Sequence, residues 1–206
     1  MTDRAAALRY VALGDSYTIG TSVRPPDSWP SQLVAQVSQL ELIANLGVNG
    51  YASDDLVRFE LPAMGDLRPD FVTLQIGVND VVRGASEAEY RASAVRILGD
   101  LLVRVPPERI LAVASPDYTV TPAGAWFGDR SRQSSAIARF NEILGATTAD
   151  KGIAFVSEIF AISRDAAAER SMLADDGLHP SGAQYARWVD AIRPVVERLL
   201  LPSGGR

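Results

Sequence analysis

The sequence contains no cysteine and only one histidine among its 206 residues. The absence of cysteine excludes a disulfide framework, a thiolate metal site and a cysteine nucleophile. Because His179 is the only imidazole, a metal site would have to be built almost entirely from carboxylates. We therefore expect a protein that works without a metal or another cofactor.

Long hydrophobic runs are also missing, since no apolar stretch approaches the ~20 residues that a membrane-spanning helix needs. The amino-terminal stretch MTDRAAALRYVAL has the basic and apolar character of a secretion signal, but Arg9 interrupts its apolar part. Cleavage after this stretch would also remove the first predicted strand. The sequence thus predicts a cytoplasmic protein with no integral membrane segment.

Basic residues are fewer than acidic ones, with 20 Lys and Arg against 25 Asp and Glu. This gives a net charge of −5 and a pI near 4.9. Nucleic acids and anionic membranes bind to basic patches on proteins, so we expect neither of them as a partner. A composition of 47% hydrophobic and 22% charged residues is typical of a globular protein. We predict one domain over residues 1–206, with a small-molecule substrate and an oligomeric state that the sequence leaves open.

A serine occupies the most informative position in the chain. Residues 14–20 read GDSYTIG and directly follow the apolar run of residues 8–13, which is typical of a strand buried in a parallel sheet. Ser16 would therefore lie just beyond the carboxyl end of that strand. In open α/β sheets, ligands bind in the crevice at this edge.

A serine nucleophile needs a base that takes its proton and donors that stabilise the oxyanion. The only available imidazole is His179, which lies in the segment DDGLHPS three residues after Asp176. If the chain uses a serine and histidine pair at all, the pair is Ser16 and His179. The order along the chain would be Ser, Asp, His.

Apolar runs alternate with helical periodicity along the rest of the chain. The predicted strands are residues 8–13, 40–46, 71–76, 109–114 and 152–156, and the predicted helices cover residues 31–39, 86–104, 131–150 and 181–200, with another starting at 53. This alternation predicts a three-layer α/β/α sandwich around a five-stranded parallel sheet. The flavodoxin-like strand order 2-1-3-4-5 fits five strands of this kind.

The predicted order places strand five three positions from strand one, roughly 14 Å away at the usual strand spacing. A short loop after strand five could not bring His179 to Ser16. The connection over residues 157–180 is long enough, and we expect a helix at residues 164–170 within it. The length of this connection supports the pairing of the serine with the histidine.

Four short motifs, GDSYTIG, Asn49-Gly50, GVND at residues 77–80 and DGLH at residues 176–179, occur in this order along nearly the whole chain. In these motifs the sequence resembles the GDSL, or SGNH, hydrolase family. The resemblance implies the same fold, Ser16 as nucleophile, His179 as base and Asp176 as the residue that orients the base. It also implies an oxyanion hole formed by the backbone N–H groups of Ser16 and Gly50 and the side-chain amide of Asn79.

The resemblance further implies the cleavage of carboxylic esters through an acyl-enzyme. We expect short to medium acyl groups, because the five strands and their helices use most of the 206 residues and leave an open crevice with a shallow acyl pocket. The same triad would serve a thioesterase or a carbohydrate O-deacetylase, and a ligand-binding module could keep the fold without turnover. Ser16 could instead be a serine in a tight turn or at a helix cap. It could also be one contact in a phosphate-binding loop, although the carboxylate of Asp15 would repel phosphate.

Aromatic residues provide candidates for a substrate wall. Tyr17 stands where many family members have leucine, and the segment of residues 115–129 contains three more aromatic side chains, Tyr118, Trp126 and Phe127. These side chains either line the substrate site or pack at the surface, and the sequence does not separate the two.

Overall fold

The computed structural model of the chain describes residues 6–201. Its centre is a five-stranded parallel sheet in the order β2-β1-β3-β4-β5. The strands are β1 Leu8–Gly14, β2 Leu40–Asn45, β3 Phe71–Gln75, β4 Ile110–Val113 and β5 Ala154–Val156. The predicted fold class and strand order are confirmed.

Helices connect the strands and cover the sheet. They are α1 Ser16–Ile19, α2 Trp29–Gln36, α3 Ser53–Asp55, α4 Leu61–Ala63, α5 Val78–Val82, α6 Glu87–Leu102, α7 Arg130–Ala149, α8 Ile159–Ser163 and α9 Gly182–Leu200. One turn of π-helix, Leu56–Glu60, joins α3 to α4. Helix α2 starts two residues earlier than predicted because Pro30 occupies its first turn, where a missing N–H costs nothing.

The three central strands, β1, β3 and β4, are largely buried on both faces, and alternate residues of β1 belong to two separate cores. Tyr10 and Ala12 pack in the core that contains Trp29 of α2 and Trp188 of α9. Val11 and Leu13 pack in the other core, whose helical members include Leu56 of the π-turn, Leu98 of α6 and Ile143 of α7. This division, which follows from the two-residue period of a strand, produces the three layers.

The order in which strands are added to the sheet reverses after β2. Strand β2 lies on one side of β1, and all later strands lie on the other side. The register pairs Gly14 with Gln75 and Ala12 with Asn45, so the three carboxyl ends lie at the same edge. A crevice at this switch point is the usual ligand site of such sheets. The residues that follow β1, β2 and β3 are therefore neighbours.

The connection from β5 to α9 differs in detail from the prediction. Its α-helix is Ile159–Ser163, and residues Arg164–Ala167 continue it as a 3-10 turn rather than forming a separate α-helix at 164–170. A second 3-10 turn, Arg170–Met172, leads into the loop that carries His179. Within residues 6–201, no helix is both long and apolar enough to cross a membrane.

Candidate active site

The turn after β1 places Ser16 at the first position of α1. Asp15 is the N-cap of this short helix, and its Oδ1 accepts a 2.9 Å hydrogen bond from the N–H of Tyr17. Gly14 has a φ of +153°, and a Cβ there would lie 2.3 Å from the carbonyl oxygen of Gln75, so only glycine fits. The result is a sharp strand-to-helix turn that holds Ser16 with 7% of its surface exposed.

The D-x-x-H spacing has a direct structural reason. Asp176 Oδ1 accepts hydrogen bonds from the backbone N–H groups of Leu178 and His179, both at 2.9 Å, which bends the loop around the carboxylate. Gly177 makes the bend possible with a φ of +66°. The imidazole of His179 contacts the same carboxylate, with its Nδ1 2.6 Å from Asp176 Oδ2.

The surroundings of Asp176 stabilise the ionised form of its carboxylate. Partial burial raises the pKa of Asp176, but hydrogen bonds from Ser22, from His179 and from the loop backbone outweigh burial and hold the pKa below its usual range. An ionised carboxylate only accepts hydrogen bonds. The proton of the neutral ring therefore lies on Nδ1, and Nε2 keeps a free lone pair.

Asn79 is the second residue of α5, directly after β3. Its Nδ2 donates a 2.9 Å hydrogen bond to the carbonyl oxygen of Tyr51 and lies at a longer 3.5 Å from Asp15 Oδ2. An amide nitrogen carries two N–H groups, and the second of them is held only by the long hydrogen bond to Asp15. The next residue, Asp80, accepts a 2.9 Å bond from the N–H of Ser53 and so ties this helix to the segment after β2.

Most of the predicted site residues share one small cavity of about 40 Å³. It is lined by Ser16, Tyr17, Val78, Asn79, Val82, Tyr118, Phe127, Leu178 and His179. Gly50 does not line this cavity, although the next residue, Tyr51, accepts the hydrogen bond from Asn79. Trp126 is also absent from the lining, and 82% of its side chain is exposed.

The aromatic side chains of the cavity pack against one another and against the imidazole. The ring of Tyr17 lies 5.2 Å from that of His179, and Tyr118 meets Phe127 edge to face at 5.3 Å. Burial raises the pKa of Tyr118 to about 12, so its phenol is neutral in ordinary buffers. These rings make the cavity wall largely apolar around the polar groups of Ser16, Asn79 and His179.

A larger groove of about 380 Å³ adjoins the cavity and shares Val82 and Phe127 with it. Its remaining wall includes the polar side chains of Asp129, Arg132 and Gln133. Together the two spaces form a small, mainly apolar compartment next to a larger groove with both apolar and polar walls. The cavity has room for a small apolar group, and the groove has room for a larger group of mixed polarity.

Two acids at the serine turn are buried, of which Asp15 was noted in the sequence but Glu60 was missed. Glu60 lies on the π-turn with 2% of its surface exposed, and its Oε2 accepts a 2.9 Å hydrogen bond from the N–H of Gly14. Burial raises the pKa of Glu60 to about 9 and that of Asp15 to about 7, and the charge of Asp15 further raises the former. The π-turn, a local widening often found at functional sites, has no signal in the sequence pattern.

The described part of the chain offers no group of three or more His, Asp or Glu side chains that could hold a metal ion. What it offers instead is a serine hydroxyl, an oriented imidazole and a side-chain amide that line one cavity. These are the types of group that nucleophilic catalysis uses.

The sequence and the fold are similar to those of known proteins. The family model described as "GDSL-like Lipase/Acylhydrolase family" matches residues 12–187. The chain is 22% identical over 205 residues to Esterase TesA of Pseudomonas aeruginosa, covering 97% of this chain and 93% of that protein.

Solved structures are similar over most of their length. A crystal structure of TesA has a TM-score of 0.71 at 22% identity and covers 93% of this chain and 99% of its own. A catalytic mutant of the acetylxylan esterase Axe2 from Geobacillus stearothermophilus has a TM-score of 0.71 at 18% identity, covering 95% and 96%. A G-D-S-L family lipolytic protein from Veillonella parvula has a TM-score of 0.76 at 17% identity, covering 93% and 100%.

The protonated state of Glu60 leads to a prediction about stability. Since its folded pKa of about 9 lies above its ordinary value, the folded chain keeps a proton that the unfolded chain has lost at neutral pH. We expect the free energy of unfolding to fall between pH 7 and pH 9, by up to about 1.4 kcal/mol per pH unit from this group. Glu60→Gln keeps an acceptor for Gly14 but cannot ionise, so its stability should vary less with pH.

The measurement is chemical denaturation of both proteins at several pH values in this window. Glu41→Gln, which changes an exposed glutamate on β2, is the matched control and should keep the wild-type slope. Equal slopes for wild type and Glu60→Gln would show that Glu60 is not a buried neutral acid.

Proposed function

The chain belongs to the GDSL-like Lipase/Acylhydrolase family, and on that premise we propose that it is a serine esterase. It cleaves carboxylic esters of short to medium acyl groups through an acyl-enzyme, within one domain and without a cofactor. The observation that carries this proposal is the shared cavity of Ser16, Asn79 and His179, together with the 2.6 Å contact between Asp176 and the imidazole.

In the first half-reaction, Ser16 Oγ attacks the carbonyl carbon of the ester while its proton passes to Nε2 of His179. Asp176 keeps the ring in the required tautomer and stabilises the imidazolium that forms. The carbonyl oxygen becomes an oxyanion, for which Asn79 Nδ2 and the backbone N–H groups of Ser16 and Gly50 are the proposed donors. The tetrahedral intermediate collapses when the alcohol leaves with the proton from His179.

In the second half-reaction, water attacks the acyl-serine and gives its proton to Nε2 of His179. The tetrahedral intermediate releases the carboxylic acid, and Ser16 Oγ takes the proton back. In this scheme the small cavity holds the acyl group and the adjoining groove holds the alcohol. The order of events requires no group beyond those already described.

Two related activities use the same chemistry. A carbohydrate O-deacetylase is favoured by the narrow acyl cavity beside a wider groove that carries the polar side chains of Asp129, Arg132 and Gln133, and the similar Axe2 is named as an acetylxylan esterase. A thioesterase would share the triad, and a ligand-binding module would not turn over. The cytoplasmic location and the absence of nucleic-acid partners stay predictions from the sequence.

The size of the cavity predicts the acyl preference. We expect p-nitrophenyl acetate and butyrate to be hydrolysed with kcat/KM values at least about tenfold above that of the octanoate, because the extra methylenes exceed the volume of the small cavity. Acetylated xylooligosaccharides and acetyl thioesters measured alongside distinguish the alternatives. An optimum at long acyl chains would contradict the assignment of the cavity.

We expect the side-chain amide of Asn79 to stabilise the negative charge that develops on the carbonyl oxygen of the ester. Asn79→Ala removes a donor to the oxyanion, so we expect kcat to fall about a hundred- to a thousandfold with little change in KM. Asn79→Asp has the same size and should lose as much, because its carboxylate cannot donate. A rise in KM with unchanged kcat would make Asn79 a substrate contact instead.

The neighbouring acids Asp175 and Asp176 provide a matched pair. Asp176→Asn should lower kcat roughly ten-thousandfold because the neutral amide favours the wrong imidazole tautomer. Asp175→Asn should have little effect, since Asp176 alone contacts the imidazole. Steady-state kinetics of the two variants are the test, and equal losses would contradict the assigned triad.

A further inference from the structure

Ser22 has an unusual backbone conformation close to the candidate triad. Its φ is +66°, in the left-handed region that disfavours residues with a Cβ. Within residues 6–201, the only other non-glycine residue with a positive φ is Arg68, at +44°. A glycine at position 22 would avoid the strain, so the presence of serine calls for a reason.

The side chain supplies that reason, because the hydroxyl of Ser22 donates a 2.6 Å hydrogen bond to Asp176 Oδ2. This is the oxygen that also contacts Nδ1 of His179 at 2.6 Å. The other carboxylate oxygen is held by the loop backbone. Ser22 is therefore the one group from outside the DGLH loop that these contacts place on the carboxylate.

The loop that carries Ser22 starts from the nucleophile itself. The N–H groups of Gly20 and Thr21 both donate to the carbonyl oxygen of Ser16, at 3.1 and 3.0 Å. The N–H of Val23 then donates to the carbonyl oxygen of Gly20. Ser22 thus connects the serine turn with the acid loop 154 residues later in the chain.

We propose that Ser22 is a positioning residue for the ester hydrolysis assigned above. Its strained backbone directs the hydroxyl at Asp176 Oδ2, which fixes the carboxylate and, through it, the imidazole of His179. The proposal rests on the proposed function for its catalytic consequence, but the hydrogen bond itself can be tested separately. It assigns a role to a residue outside the four motifs of the sequence.

The test compares stability with turnover. Ser22→Ala removes the hydroxyl but keeps the strained backbone, whereas Ser22→Gly removes the hydroxyl and relieves the strain. Both variants should lower kcat about three- to tenfold with KM unchanged, and Ser22→Gly should have the higher Tm of the two. The control Arg68→Gly relieves strain elsewhere and should raise Tm with wild-type kcat.

A double variant shows whether the effect passes through the carboxylate. In the Asp176→Asn background, Ser22→Gly should lower kcat no further, because the two residues act as one unit. Wild-type kcat in Ser22→Gly and Ser22→Ala, or a Tm of Ser22→Gly no higher than that of Ser22→Ala, would overturn the proposal. A further loss in the Asp176→Asn background would do the same.

A readout without turnover separates this proposal from the proposed function. Since His179 is the only histidine, its ring Nδ1–H gives a single NMR resonance, which should move or broaden in Ser22→Gly and stay in place in Arg68→Gly. An unchanged resonance in both variants would overturn the role of Ser22. If the wild type hydrolyses no ester while the resonance responds as expected, the proposed function fails and the positioning contact stands.

Discussion

The candidate site depends on one carboxylate. Asp176 accepts hydrogen bonds from its own loop backbone, contacts the imidazole of His179 and is bonded by Ser22 from the loop of the nucleophile. In this way a single side chain joins segments that the sheet topology keeps apart, since β5 lies three positions from β1. Without these bonds, the long connection after β5 would supply a histidine but no fixed direction for its ring.

The parts of the fold that could be predicted are those governed by local pattern. Apolar runs bounded by turns gave five strands, and the position of Ser16 directly after the first run placed it at the ligand-binding edge. The family was recognisable because four motifs occur in order with a single histidine. Helix ends were less certain, as α2 shows, because a proline in the first turn shifts the start by two residues.

The missed features depend on contacts between distant residues. Nothing near Ser22 indicates a left-handed backbone or a partner 154 residues away. Glu60 has the sequence context of an exposed helical glutamate, and only the extra residue of the π-turn brings it to the N–H of Gly14. Of the four aromatic candidates, three line the cavity and Trp126 does not, a distinction made by loop geometry rather than by composition.

The central claim is that Ser16 is a nucleophile activated by His179. Labelling with a fluorophosphonate, followed by mass spectrometry of the peptides, tests it most directly, because the probe reacts with an activated serine whatever the natural substrate is. The account predicts one adduct, located on Ser16, that is lost in Ser16→Ala and forms far more slowly in His179→Ala. An unlabelled wild type, or an adduct on another residue, would contradict it.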